Sequence, residues 1–195
     1  MTHERKAAVI LAGIALAEGW WVWASAHVHP RGFLRYAGFV DAQPGVVGWL
    51  LAVVVFVAFT AYAATRFPSV RANLLKPSLL KVLALAVAVS AGFCEETIFR
   101  KWVMDGVAHE GIVVQVVASA VTFGLVHGVW GLFRGSIIAA VGATLATGVL
   151  GAALAVVFLA SHRVLAPCIV SHFLINALAE PRLVLAAVRG EMSRP

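Results

Sequence analysis

Six long apolar stretches, separated by short polar segments, account for most of the chain. They cover residues 7–26, 46–64, 79–107, 112–133, 136–160 and 164–178. A helix needs about 20 mostly apolar residues to cross a bilayer, and most of these stretches reach that length. The segments between them are rich in Pro, Gly, Ser and charged residues, which is typical of turns. The pattern therefore predicts an all-α protein, a polytopic transmembrane bundle of about six helices.

The composition indicates that lipid is the solvent of this bundle. Of the 195 residues, 62% are hydrophobic and 12% are charged, whereas a soluble domain is roughly 45–50% apolar and about 25% charged. The length suits one membrane domain. We divide it into a two-helix N-terminal membrane segment (residues 1–78), a core of about four helices (residues 79–180) and a cytoplasmic tail (residues 181–195).

The net charge of +6 does not indicate nucleic-acid binding, because the basic residues lie in short runs between the apolar stretches. With six crossings, ten Lys and Arg residues fall on one side and four on the other, and Arg100 inside the third stretch is not counted. The ten are Arg5, Lys6, Arg66, Arg71, Lys76, Lys81, Arg134, Arg182, Arg189 and Arg194, and the four are Arg31, Arg35, Lys101 and Arg163. This asymmetry predicts cytoplasmic termini for a multi-pass protein, which we expect in a bacterial inner membrane.

The first stretch has some features of a secretory signal peptide, with basic residues before it and small residues at 24–26. It is longer than a usual signal core, and it ends in Trp20, Trp21 and Trp23, which resemble an interfacial aromatic belt. We therefore expect a retained first helix. Glu18, beside the tryptophans, is interpreted as an interfacial or paired acid, and the two cysteines as small core residues.

The third stretch contains Glu95, Glu96 and Arg100. Ionisable side chains at the bilayer centre cost at least ~2.5 kcal/mol each, so they usually face the protein interior and have a role. Glu96 and Arg100 are four residues apart on one helix face, so they can pair. Glu95 is left without a local partner, and a carboxyl group in apolar surroundings suits general acid–base chemistry near neutral pH. The structural alternative is an ion pair with a spare carboxylate.

Further polar groups lie on the fourth and sixth stretches. His127 follows Phe123 by four residues, and Asn176 follows His172 by four, so each pair shares a helix face. A single histidine on an apolar helix is more often a hydrogen-bonded core residue than a ligand. Two polar side chains on one apolar helix, however, indicate a polar partner across the bundle.

From three helices, Glu95, His127, His172 and Asn176 can converge on one polar cavity. Two histidines and a carboxylate with an open position form a hydrolytic zinc arrangement, for which Glu95, His127 and His172 are the candidate ligands. Without a metal, the glutamate would activate water while the histidine and asparagine donors stabilise an oxyanion. The sequence leaves both alternatives open, a Zn²⁺ ion or no cofactor.

The order Glu-Glu-x-x-x-Arg, Phe-x-x-x-His and His-x-x-x-Asn on successive membrane stretches resembles the signature of the CAAX-protease and bacteriocin-processing family (CPBP, or Abi). The resemblance covers residues 79–178, and every motif position is matched. It implies an intramembrane peptidase in which the first glutamate and the first histidine activate water, while the second histidine and the asparagine stabilise the transition state. The residues that the resemblance assigns to the site are Glu95, Glu96, Arg100, His127, His172 and Asn176.

The implied activity is hydrolysis of a peptide bond near the C-terminus of a membrane-anchored or lipid-modified protein or peptide, with the lipid bilayer as the other partner. Prenyl endopeptidases of the family cut after a prenylated cysteine. With cytoplasmic termini, the helices of the core would cross the membrane in the direction opposite to those of the prenyl endopeptidases. That direction would suit myxosortase-type members, which trim C-terminal sorting anchors of exported proteins. A non-enzymatic bacteriocin-immunity or scaffold protein and a transporter are the alternatives, although the sequence has no obvious inverted repeat.

Overall fold

The computed structural model describes residues 1–132 and 136–191, and these residues are largely helical, with no strand among them. In chain order the helices are α1 (His3–Val28), α2 (Pro30–Ala37), α3 (Gly45–Arg66), α4 (Pro68–Asn73), α5 (Leu79–Glu96), α6 (Met104–Gly106), α7 (Ile112–Leu132), α8 (Ile137–Ala160), α9 (Ala166–Leu178) and α10 (Glu180–Arg189). A π-helical stretch, Thr97–Val103, connects α5 to α6, and a 3₁₀ turn, Ala108–Glu110, precedes α7.

Within the described residues, five helical runs are long and apolar enough to cross a membrane: α1, α3, α7, α8 and the continuous run from α5 to α6. A sixth crossing arises if α9 and α10, which are bent by 51° at their junction, count as one span. The predicted all-α bundle of about six membrane helices is confirmed. Since α9 has 13 residues, it rises only about 20 Å. That is less than the roughly 30 Å hydrocarbon core, so a full crossing needs α10.

The polar segments contain two short helices that the hydrophobic pattern does not reveal. The first residues of α2 and α4 are Pro30 and Pro68, and prolines also occupy the first turns of α9 and α10. Proline suits this place because its φ is already helical and its missing N–H would have had no intrahelical partner. Most of the described part of the predicted tail forms α10, where Val184 and Leu185 are buried.

Glycines bring α7 and α8 close together. A Cβ on Gly124 would stand 2.5 Å from the carbonyl oxygen of Thr144, and a Cβ on Gly151 would stand 3.0 Å from Cβ of Phe123. Larger residues at these positions would push the helices apart, so glycine sets their separation. The face of α8 that carries Gly148 and Gly151 therefore packs against α7 within the chain.

The remaining helices pack around α5 and α9. Ala7 and Leu11 of α1 are buried with Val87 of α5 and Leu185 of α10 in one apolar cluster. The inner face of α9 belongs to the main core, which also includes residues of α3, α7 and α8. This packing places the third, fourth and sixth apolar stretches side by side, so that their polar residues can meet.

Two contacts near the loops show which loops lie at each end of the bundle. At one end, the Arg163 guanidinium after α8 pairs with Asp105 of α6. At the other end, the ammonium of Lys81 at the start of α5 donates to the carbonyl of Leu74 after α4. The basic residues of these loops therefore fall at opposite ends, as the alternation of the predicted crossings requires.

Reporter fusions should read cytoplasmic after Arg66 and external near Arg35 and Arg163, because the end of the bundle that carries more Lys and Arg is expected in the cytoplasm. Fusions after Arg134 and Arg194, which lie outside the described residues, should also read cytoplasmic. A paired phosphatase and fluorescent-protein reporter at each position measures this. An external signal from the C-terminal fusion would contradict the orientation.

Candidate active site

A buried ion pair lies where α5 passes into the π-helical stretch. Arg100 donates from Nε to Oε2 of Glu96 at 2.8 Å and from a terminal nitrogen to Oε1 at 3.3 Å, and both side chains are fully buried. Its other terminal nitrogen donates to the hydroxyl of Ser119 on α7, which donates to the carbonyl of Phe99 at 3.0 Å. The pairing expected from the spacing of Glu96 and Arg100 is present, and it joins α5 to α7.

His172 on α9 extends this network. Its Nδ1 lies 2.7 Å from Oε1 of Glu96. Because a carboxylate accepts, the hydrogen is assigned to Nδ1, and Nε2 on the other side of the ring lies 3.9 Å from Oε2 of Glu95. Glu96 thereby sets both the tautomer and the orientation of the imidazole.

Glu95 and His127 face each other beside that network. Oε2 of Glu95 lies 3.6 Å from Nε2 of His127, too far for a direct hydrogen bond. Nδ1 of His127 is 2.8 Å from the carbonyl oxygen of Phe123, which can only accept. In the neutral ring Nδ1 therefore carries the hydrogen and Nε2 is an acceptor. Two acceptors then face one gap, and a water molecule placed there can donate one hydrogen to each.

Phe123 packs against Arg100 and against both imidazoles of the site. Its ring stacks on His127 at a centroid distance of 4.3 Å, meets His172 edge-on at 5.8 Å and lies 5.0 Å from the guanidinium carbon of Arg100. The side chain is only 1% exposed. These contacts hold the two imidazoles in fixed positions relative to Arg100, which gives the Phe-x-x-x-His spacing a packing role.

A cavity of about 330 Å³ opens in front of Glu95, His127 and His172. Asn176, one turn after His172 on α9, lines it as well. Most of the remaining wall is apolar and includes Ile14, Phe59, Leu150, Ile175 and Val184. Away from the polar residues Glu95, His127, His172 and Asn176, the wall is formed by α10, by the end of α3 and by the first half of α8. The cavity therefore leads from these polar residues towards the end of the bundle that carries Lys81.

All six residues predicted for the site lie in this network or on the cavity wall; they are Glu95, Glu96, Arg100, His127, His172 and Asn176. Helix geometry allows Glu95 and His127 to meet at one depth only if the third helix continues past Lys101 to about Ala108 and is tilted. The helical run does continue past Lys101, and it ends at Gly106.

Three polar residues of the site were not predicted. Ser119 has a signal in the sequence, because it precedes Phe123 by four residues and shares its helix face. Glu18, interpreted as an interfacial or paired acid, lines the cavity beside Glu95. Glu180 lines it too, but its place at a predicted helix end gave no reason to assign it to the site.

The set of Glu95, His127 and His172 has the donor chemistry of a zinc site. In the described part of the chain, however, no group of three His, Cys, Asp or Glu side chains is arranged to hold a metal ion. The two Nε2 atoms stand 3.6 and 3.9 Å from Oε2 of Glu95, and one gap is already suited to a water molecule.

Comparison with known proteins gives a family match. Residues 77–178 match the model of a family described as type II CAAX prenyl endopeptidase Rce1-like. The matched region is more than half of the 195 residues and runs from just before α5 to the end of α9, so it contains all six predicted site residues. No curated protein and no solved structure matches the chain.

Arg100→Ala should lower the yield of folded protein in detergent, because removal of one partner from a buried pair typically costs ~3–5 kcal/mol. Arg35→Ala is the matched control, since it breaks a pair with Asp41 whose side chains are 60% and 50% exposed, and exposed pairs are worth ~0–1 kcal/mol. Size-exclusion chromatography measures both yields. Glu95→Gln should leave the yield nearly unchanged. Equal yields for wild type and Arg100→Ala would contradict a stabilising pair.

Proposed function

This chain belongs to the type II CAAX prenyl endopeptidase Rce1-like family, and on that premise we propose that it cuts a peptide bond near the C-terminus of a membrane-anchored or lipid-modified protein or peptide. The observation that carries the proposal is the position of Glu95. Its Oε2 faces Nε2 of two histidines across gaps of 3.6 and 3.9 Å, beside a largely apolar cavity. A base, a water position and donors for an oxyanion are thus available at one place.

In the proposed reaction a water molecule donates hydrogen bonds to Oε2 of Glu95 and Nε2 of His127. Glu95 takes a proton as the water oxygen attacks the carbonyl carbon of the scissile bond, and the C=O π electrons move to the oxygen. When the tetrahedral intermediate collapses, Glu95 returns the proton to the leaving nitrogen and the C–N bond breaks. The products are an acid and an amine, and Glu95 is regenerated.

The oxyanion of this intermediate needs hydrogen-bond donors aimed at the carbonyl oxygen. We assign that role to the amide of Asn176 and to Nε2 of His172, which donates when its ring is doubly protonated. The carboxylate of Glu96 at Nδ1 balances the charge of such a ring. With Glu95 ionised, the four charges of Glu95, Glu96, Arg100 and His172 sum to zero, a favourable state for a buried site.

The walls of the cavity support an apolar substrate segment. Apolar side chains of α1, α3, α8, α9 and α10 surround the approach to Glu95, and such a surface accepts hydrophobic residues or an attached lipid. Because the cavity leads to the end of the bundle where Arg66 and Ala187 lie, we assign entry of the substrate's C-terminal segment to that end. The loop charges predict that this end is cytoplasmic.

We further propose a location in a bacterial inner membrane, with myxosortase-type trimming of C-terminal sorting anchors as the specialisation. Two peptide substrates separate the possibilities, one ending in an apolar anchor followed by basic residues and one carrying a prenylated cysteine. Faster cleavage of the first supports the sorting role, and faster cleavage of the second supports a prenyl-dependent role.

Glu95→Gln should slow cleavage of a membrane-anchored peptide by ~10²–10⁴-fold, the range for loss of general acid–base catalysis. His127→Ala should also slow cleavage, because it removes the second acceptor that positions the water for Glu95. The double variant should be no slower than the slower single variant, because residues that act as a unit are not additive. Glu110→Gln and His109→Ala are matched controls at exposed positions and should keep the wild-type rate. A fluorogenic peptide in proteoliposomes measures the wild type and all five variants.

Asn176→Ala should lose ~10²–10³ in turnover, as expected for one oxyanion donor. A folded Glu95→Gln protein that cleaves at the wild-type rate would refute the assignment. Wild-type protein that cleaves no anchored peptide would instead favour the non-enzymatic scaffold function.

Cleavage should persist in a metal chelator, because the proposed water is held by Glu95 and His127 directly. Assays with and without 1,10-phenanthroline, before and after addition of Zn²⁺, measure this. A loss of activity that Zn²⁺ restores would contradict direct activation. It would identify Glu95, His127 and His172 as zinc ligands, which a fall in bound zinc in His127→Ala would corroborate.

A further inference from the structure

Glu18 brings a second carboxyl group to Glu95 from outside the region that matches the family. It stands on α1 and lines the same cavity as Glu95, and the two carboxyl groups lie close enough to share a hydrogen bond. Oε2 of Glu18 is buried and has no hydrogen-bond partner of its own. The candidate base therefore has a neighbour that the three motifs do not include.

Contacts on both sides of Glu18 fix its position against α5. The next residue, Gly19, lies against Ser90, where an added Cβ would stand 3.8 Å from Cβ of the serine. One turn later, Trp21 meets Trp102 of the π-helical stretch edge-on at 6.5 Å. Sliding of α1 along α5 would break these contacts, so the packing of the two helices keeps Glu18 beside Glu95.

A hydrogen bond between two carboxyl groups requires one shared proton, because two carboxylates have no donor. Nε2 of His172, which donates in the doubly protonated ring of the proposed site, faces Glu95 and can stabilise negative charge there. Glu18 instead projects from an apolar helix, with Ile14 one turn away on the same cavity wall. The proton therefore belongs on Glu18, whose O–H donates to the carboxylate of Glu95.

We propose that Glu18 is a positioning residue for peptide hydrolysis, an inference that rests on the proposed role of Glu95 as the base. The hydrogen bond from Glu18 holds the Glu95 carboxylate in the orientation that directs Oε2 to the water beside His127. Glu18 does not touch the scissile bond, and it acts through Glu95. The first helix is then part of the catalytic unit as well as of the cavity wall.

Two substitutions of similar size test this role in the full chain in proteoliposomes. Glu18→Leu removes the donor but suits an apolar helix, whereas Glu18→Gln keeps an N–H donor. Glu18→Leu should lower kcat ~10–100-fold, the loss typical of an outer partner that orients a site residue, with KM unchanged. Glu18→Gln should keep most of the wild-type kcat. Glu4→Leu, at an exposed position of the same helix, is the matched control.

A double-variant comparison separates positioning from general stability. In a Glu95→Gln background, Glu18→Leu should cause no further loss of kcat. A purely structural effect would instead lower kcat by the same factor in the wild-type and the Glu95→Gln backgrounds. The inference is overturned if Glu18→Leu keeps the wild-type kcat, changes KM alone or fails to assemble, or if Glu18→Gln is as slow as Glu18→Leu. In each of these cases Glu95→Gln would still abolish most of the cleavage. If cleavage did not depend on Glu95, the proposed function itself would be refuted.

Discussion

The buried pair of Glu96 and Arg100 is the interaction on which the arrangement of the site depends. Two charges removed from water cost several kcal/mol each unless their hydrogen-bonding groups are satisfied. Arg100 meets this demand with Glu96 and Ser119, and Glu96 also accepts from His172. One ion pair therefore ties together α5, α7 and α9, the three helices that carry the motifs.

The same pair determines where the neighbouring groups point. Successive residues of an α-helix are turned by about 100°, so a Glu96 side chain fixed among α7 and α9 turns Glu95 towards the cavity. The pair also orients His172 through Nδ1, and Phe123 packs between Arg100 and the two imidazoles. Glu96, which belongs to the stabilising network, and Glu95, the candidate base, are thus adjacent residues of one helix. The π-helical stretch begins directly after them, as is common at functional sites.

The two parts of the chain contribute different things to the site. The region that matches the family, residues 77–178, supplies the ion pair, the histidines and Asn176. The helices outside it, α1, α3 and α10, supply much of the apolar wall and the carboxyl groups of Glu18 and Glu180. The surface that would contact a substrate therefore depends strongly on helices beyond the motifs.

The sequence alone determined the helical class and the approximate spans, and it predicted six polar residues for one site, which the structure brings close together. It could do so because lipid requires long apolar helices and because a polar residue within one needs a polar partner. Only the tertiary structure decided that His172 binds Glu96, that Glu18 lies beside Glu95 and that α9 and α10 meet at a bend of 51°. These features depend on distances between residues far apart in the chain. Packing of small and large side chains between helices sets such distances, and local sequence pattern does not specify them.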